Sequence, residues 1–417
     1  MEVKLMNEPK LFTVIPDGTI TSVPGIKACG VTAGLKKSGL PDMAMIVTDE
    51  PANFSGVFTS CVFAAAPVLL DRERVCTQPF ARCVVINSGI ANAGTGDLGL
   101  SNAYRTCEIA AKQLGISPEE VLVSSTGRIG TQLPMDVIEK GITLCAENLS
   151  THGGADATRA IMTTDTVPKA IALEVSLNGK KVRIGAMTKG AGMIDPKLRG
   201  VPHATMLCYV TTDAKIENAL LGKMLLANAE KSFNRITVDG DMSTNDTVII
   251  LANGHSGVTI LEGSEEEKIF TEALLFAMQD LARRMVMDGE GATKFVTVKI
   301  ENAATVEDAQ KLAEAVGNSL LCKTAWFGCD PNWGRIVAAL GYAGVDFDPS
   351  RVDVFYDDFA VVRKGGDAGT PEKELAEVLK NREFTVRVDM HAGSADFWIW
   401  TSDISYEYVK INAEYHT

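Results

Sequence analysis

Histidine is scarce in this chain: five in 417 residues, isolated from one another, with no H-x-x-x-H spacing and none beside a G-x-S-x-G turn. A zinc enzyme or a Ser/His/Asp hydrolase therefore has no support in the sequence. Any acid–base chemistry must draw on a lysine, a carboxylate or an α-amine. Positive charge is in deficit as well, with 40 Lys and Arg against 53 Asp and Glu and a net charge of −13. That balance works against nucleic acid or an anionic membrane surface as partner. The nine cysteines include no C-x-x-C pair and no Cys/His cluster, so they read as reduced thiols in a cytoplasmic protein, with no metal expected. The longest apolar run, Val62 to Leu70, is far short of the ~20 residues that span a bilayer. The opening "MEVKLMNEPKLF" lacks the charged-then-apolar pattern of an export signal. Repeats, proline-rich linkers and low-complexity blocks are missing too.

What is present is an ordinary globular composition, 46% hydrophobic and 22% charged, in a chain long enough for two or more packed units. The first half alternates strand-like runs, "MAMIVTD" and "ARCVVINSG", with a helical stretch "LSNAYRTCEIAAKQLG" that Gly115 should cap. From Lys180 strands dominate: "KKVRIGAMTKG", "ATMLCYVTTDA", "NRITVDGD" and "DTVIILANG", with a helix predicted from Ile216 to Ser232. A long helix is predicted from Glu265 to Met287 with Ser264 as N-cap, then the strand "TKFVTVKIEN", then a helix opened by a Thr305/Asp308 capping box. The pattern predicts an α/β protein of stacked sheets with helices outside. Its expected domains are residues 1–280 and a C-terminal α/β unit, 281–417.

Two glycine patterns are decoys. "GTGDLG", Gly94 to Gly99, has the form G-x-G-x-x-G, but "NSGIANA" separates it from its strand, and Glu119 and Glu120 precede the next strand instead of ending it. "GEGATK" lacks the spacing of a phosphate loop. Thr205 is more informative, because it follows the small residue Ala204 and precedes the apolar run "MLCYV". A threonine hydroxyl is a weak nucleophile, and freeing the threonine's own α-amine supplies a base within the same residue. Cutting Ala204-Thr205 would do this. Oxyanion donors could come from Thr126 and Gly127 in "VSSTGRIG", and Lys189 with Gly190 and Gly192 in "TKGAGMIDP" could approach the same place. From the residues alone, a plain strand opening and plain turns are the stronger explanation of these stretches, since Ala-Thr pairs are common and glycine-rich turns usually just turn.

Further stretches occur in one order along nearly the whole chain: "GVTAGLKKSGLPDMAMIVTD", "GVFTS", "AAPVLLDRE", "VVINSGIANAGTG", "SSTGRIG", "IMTTDTVPKA", "TKGAGMI", "ATML", "SFNRITVDGDMSTNDT", "DGEGATK", "KTAWFGCDPNWGRI" and "EYVKINAEYHT". Together they resemble the ornithine acetyltransferase family, also called glutamate N-acetyltransferases, self-cleaving enzymes of the cyclic arginine pathway. The resemblance implies a stacked αββα fold with an added C-terminal α/β domain. It implies Thr205 as nucleophile, Ala204-Thr205 as the autolysis bond giving chains 1–204 and 205–417, and Thr126 with Gly127 as oxyanion hole. Thr163, Lys189, Thr205, Glu290, Asn412 and Thr417 match substrate-binding positions, with Thr164 the neighbouring alternative to Thr163. The implied reaction moves an acetyl group from N-acetylornithine to glutamate through acetyl-Thr205. No cofactor is implied, although acetyl-CoA could act as a second donor, and the two chains would assemble as a heterotetramer.

The family pattern is broken at two places. "DPKLRGVPH", Asp195 to His203, is longer than the usual loop and carries Pro202, and Ile90 and Gly94 replace more usual residues. Rival readings are an N-terminal-nucleophile amidase or aminopeptidase that would hand the acyl group to water, and a non-catalytic paralogue whose long loop blocks cleavage.

Overall fold

A computed structural model describes residues 11–198 and 206–414, which divide into two compact units. The first holds residues 11–198, 206–234 and 242–285 and the second 235–241 and 286–414. Among the described residues no helix is long and apolar enough to cross a membrane.

The first unit is organised by the strand Met43–Phe58, which the apolar pattern shows only as far as Asp49. The strand continues past Pro51 because the register shifts between Val47 and Ala52, so the proline falls where the ladder is already interrupted. Residues 43–48 pair with Ile26–Val31 and residues 43–47 with the strand Ala81–Ile90, whereas 53–58 pair with Thr247–Ala252. A nine-stranded sheet thus runs through one shared strand and folds over on itself. Alternation along the strands shows the layers: Ala44, Ile46, Val84, Ile86 and Leu122 share a buried cluster with Phe54, Met187, Leu207, Tyr209, Ile249 and Leu251.

The intervening residues, Met43, Met45, Val85 and Val123, face the other way and pack on helices through Leu70, Cys107, Ile138 and Cys145. Over the second layer lies the helix Glu265–Met287, whose Arg284 donates to the Ala170 carbonyl at 3.0 Å. The helix Asn218–Ala229 packs against Met43–Phe58. Helix, sheet, sheet and helix are the predicted αββα order.

Local signals place several boundaries. Gly115 caps the helix Gly96–Leu114 in the left-handed region at φ 67°. The Ser264 hydroxyl accepts the N–H of Glu267 at 3.1 Å, and the Thr305 hydroxyl that of Asp308 at 3.1 Å. The helix expected over residues 216–232 is Asn218–Ala229. "GTGDLG" is the start of the helix Gly96–Leu114.

The second unit is a seven-stranded mixed sheet. Phe295–Ala303 runs parallel to Glu383–Asp389 and antiparallel to Ala395–Ser402, which pairs with the short strand Ile236–Thr237. Val296, Val298 and Ile300 point to a core shared with Leu312 and Val316 of the helix Val306–Gly317.

Candidate active site

In the first unit the strand Lys180–Lys189 ends beside the start of Leu207–Thr212, with Lys189 opposite Leu207. The strand Val121–Arg128 brings Thr126 to the same place, where Lys189 Nζ donates to Thr126 Oγ1 at 3.3 Å, both side chains being buried. Two residues separated by more than sixty positions thus meet at the head of the strand that follows Thr205 by two residues. Ala204 and Thr205 lie outside the described residues, as does Thr417.

Gly127 is held in a conformation that a side chain would not tolerate. Its φ is 125°, and a Cβ there would stand 2.3 Å from the Gly89 carbonyl carbon. Gly89 and Gly127 face each other where the parallel ladder of Ala81–Ile90 and Val121–Arg128 begins to shift register. At such an irregularity backbone groups leave the ladder and become available to other partners.

Asp165 organises the floor of this region. Its Oδ1 accepts from Lys169 Nζ at 2.7 Å and from the Gly190 N–H at 2.7 Å, and its Oδ2 accepts the Thr163 N–H at 3.0 Å. Burial opposes its ionisation, but the charges of Lys189 and Lys169 overcome that and hold its pKa down to about 2. Thr163 is therefore brought into the network by its backbone, through Asp165, to the residue next to Lys189.

Lys36 joins the network from the loop before Met43–Phe58. Four consecutive N–H groups, Ala33 to Lys36, donate to the Asp42 carboxylate, and Lys36 Nζ donates to the carbonyls of Pro41 at 2.8 Å and Met162 at 2.7 Å. Burial, with the like charge of Lys189 adding to it against Asp42, lowers the Lys36 pKa to about 8. Asp246, immediately before Thr247–Ala252, is fully buried, and its Oδ2 has no hydrogen-bond partner among the described residues. Burial raises its pKa well above the usual carboxylate range, with the Lys189 charge pulling the other way.

Glu290 and Asn412 belong to the second unit, and the fold brings these two together: Asn412 Nδ2 donates to Glu290 Oε2 at 2.7 Å. The helix Tyr406–Glu414 is seated for this by Gly291, whose φ of 67° and lack of a side chain leave room for Ser405 and Tyr408. Ser405 Oγ donates to the Gly291 carbonyl at 2.6 Å.

Asp165, Lys36 and Asp246 were not singled out by sequence reasoning. The only local hint was the spacing of Asp165 and Lys169, four apart; their partners Gly190 and Met162 are neighbours in space alone. Among the described residues no group of three or more His, Cys, Asp or Glu side chains could hold a metal ion.

Residues 27–417 match the model that describes the ArgJ family. The arginine biosynthesis bifunctional protein ArgJ of Symbiobacterium thermophilum is 46% identical over 403 residues, covering 96% of this chain and 99% of that protein. Its counterpart in Geobacter sulfurreducens is 47% identical over 398 residues, 95% of this chain and all of that protein (100%). The glutamate N-acetyltransferase of Methanocaldococcus jannaschii is 46% identical over 411 residues, 96% of this chain and 99% of that protein.

Proposed function

This chain belongs to the ArgJ family, and from that premise we propose that it transfers an acetyl group from N-acetylornithine to glutamate through an acyl-enzyme on Thr205, after cutting itself at Ala204-Thr205. The observation that carries the reading is the buried contact of Lys189 with Thr126 at the head of the strand that Thr205 precedes. The relatives reported above are named for arginine biosynthesis or for acetyl transfer, which favours glutamate over water as acceptor.

In the proposed mechanism the Thr205 hydroxyl first attacks the Ala204 carbonyl and the acyl group moves from nitrogen to oxygen, freeing the α-amine of Thr205. Water then hydrolyses the ester, which opens the chain, leaves Ala204 as a carboxylate and restores the hydroxyl. That amine then accepts the hydroxyl proton as the hydroxyl attacks the acetyl carbonyl of N-acetylornithine. Negative charge develops on the acetyl oxygen, and the Thr126–Gly127 segment is the candidate donor for it; such donors contribute ~3 kcal/mol each. Ornithine leaves with the proton, and glutamate takes the acetyl group by the reverse steps. Lys189 supplies positive charge for the substrate carboxylate. Thr163, Glu290, Asn412 and Thr417 are the remaining proposed substrate contacts.

The cleaved chains would stay together, because Leu207–Thr212 from the second lies between Lys180–Lys189 from the first and Thr247–Ala252, which itself pairs with Met43–Phe58 from the first. Two such pairs would give the family's heterotetramer, in the cytoplasm. The reaction as written needs no cofactor. The same acyl-Thr205 chemistry would take acetyl-CoA as donor, and N-acetylglutamate formed from acetyl-CoA and glutamate would place this chain with the bifunctional relatives.

N-terminal sequencing of the C-terminal fragment should read Thr-Met-Leu-Cys-Tyr, and mass spectrometry after brief exposure to N-acetylornithine should find one added acetyl on that fragment. Thr205→Ala should remain one uncleaved chain of 44.6 kDa without transfer activity. An acetyl group on the other chain only, or transfer by Thr205→Ala, would sink the mechanism.

A further inference from the structure

Asn245 lies in "SFNRITVDGDMSTNDT", a stretch to which the proposed reaction assigns no task. It is buried two residues before the strand Thr247–Ala252. Its Nδ2 donates to the Ser125 carbonyl at 2.8 Å and to the Ala91 carbonyl at 2.5 Å, while its Oδ1 accepts from the Thr244 hydroxyl at 2.6 Å. Only the nitrogen of an amide can satisfy two carbonyls, so these partners fix which way the amide points.

Ser125 is the residue before Thr126. Ala91 in turn donates its N–H to the carbonyl of Arg128, the residue after Gly127, at 2.9 Å. One side chain thus grips the Thr126–Gly127 segment directly at its front and through Ala91 at its back. A grip is needed there, because the strand ladder shifts register at Gly89/Ile90 and both Gly89 and Gly127 occupy positive φ, where glycine moves freely. The grip also comes from an informative place: Asn245 leads into a strand next to Leu207–Thr212, whereas Thr126 belongs to the other sheet layer.

We propose that Asn245 is a positioning residue for acyl transfer, which holds the Thr126 hydroxyl and the Gly127 N–H in the orientation that stabilises the oxyanion. This rests on the reading of Thr126 and Gly127 as the oxyanion hole. Oxyanion donors act only when they lie within hydrogen-bond reach of where the charge forms, and a misplacement of ~1 Å costs about a hundredfold in rate. The substrate's ground state does not use these donors, so the loss falls on kcat and leaves KM alone.

The test measures kcat and KM for N-acetylornithine, per amount of processed enzyme, in Asn245→Ala, Thr126→Ala and the double variant, with thermal unfolding of each. The expected result for Asn245→Ala is a kcat about a hundredfold lower with KM within about twofold. The double variant should be little slower than Thr126→Ala alone, because both losses fall on one group. A role in folding alone would multiply the two losses and lower the unfolding temperature in step with activity.

Thr244→Val provides a second route should Asn245→Ala fail to fold: it keeps both Asn245 donors but releases the amide, so kcat should fall less steeply, and Thr244→Ser should restore it. Wild-type kcat in Asn245→Ala or in Thr244→Val, or multiplied losses in the double variant, overturns the proposal. Wild-type kinetics in Thr126→Ala would instead remove the oxyanion-hole reading itself, and the role of Asn245 with it.

Discussion

Two residues near the candidate site are constrained for physically different reasons. Gly127 is constrained by space and by backbone angle together: at φ 125° any side chain is strained, and a Cβ would meet the Gly89 backbone at 2.3 Å. Gly127→Ala should therefore reduce acetyl transfer at least about a hundredfold even where the protein still folds, as steady-state assays can show. Asp165 is constrained by charge. Its carboxylate ionises at about pH 2 in the folded chain because Lys189 and Lys169 outweigh the cost of burial. Its unfolded value is ~3.9, so the lowered pKa contributes stability that is complete above about pH 5 and is lost as pH falls toward 2. Asp165→Asn should flatten that acid limb in urea titrations run at several pH values. At neutral pH it should cost about 3–5 kcal/mol, because Lys169 stays buried without this counter-charge.

Among the elements, the helix Gly154–Ala160 decides where the Thr163–Asp165 segment starts. It lies so close on the strand Ile26–Val31 that a Cβ on Gly30 would stand 2.0 Å from the Asp156 carbonyl oxygen. Ala28 and Ser150 exchange both backbone hydrogen bonds at 3.0 Å just ahead of it, and Ser88 Oγ holds the Ala160 carbonyl at 2.6 Å behind it. Gly30→Ala should push the helix off its strand, lowering stability by about 1–3 kcal/mol. Thermal unfolding would register this as a drop of several degrees, and an unchanged midpoint would mean the helix can shift without cost. Because the segment after Ala160 carries Asp165 and contacts Lys36, the same variant should raise KM for N-acetylornithine. The apolar pattern gave the helix no signal, since "GGADATRA" has few apolar residues. Close backbone packing on a glycine, together with a buried face of small residues including Ala157 and Ala160, seats it.

At the scale of the whole chain, the strands of the nine-stranded sheet interleave across position 204/205. Six residue pairs join Leu207–Thr212 to Lys180–Lys189, and six join Thr247–Ala252 to Met43–Phe58. Separation of the two cleaved chains would require both ladders to open along with the buried cluster between the layers. The fragments should therefore co-elute on size exclusion in native buffer and part only in denaturant. Elution of either fragment alone without denaturant would show that the sheet is not the clasp.

The sequence by itself determined what local chemistry can carry: the caps at Gly115, Ser264 and Thr305, the long helix Glu265–Met287, the αββα class, and the family, through ordered motifs spread along the chain. It also marked Thr126, Gly127 and Lys189 as candidates from their local pattern, and Glu290 and Asn412 by resemblance alone. What only the tertiary structure decided is which of these meet. Lys189 reaches Thr126 because two strands far apart in sequence end at one place, and Asn412 reaches Glu290 because Gly291 leaves room for the last helix. Asp165, Lys36 and Asn245 escaped the sequence because each takes its meaning from backbone groups of distant segments: the Gly190 N–H, the Met162 carbonyl, the Ser125 carbonyl. Backbone donors and acceptors are the same in every residue, so no pattern of side chains announces them.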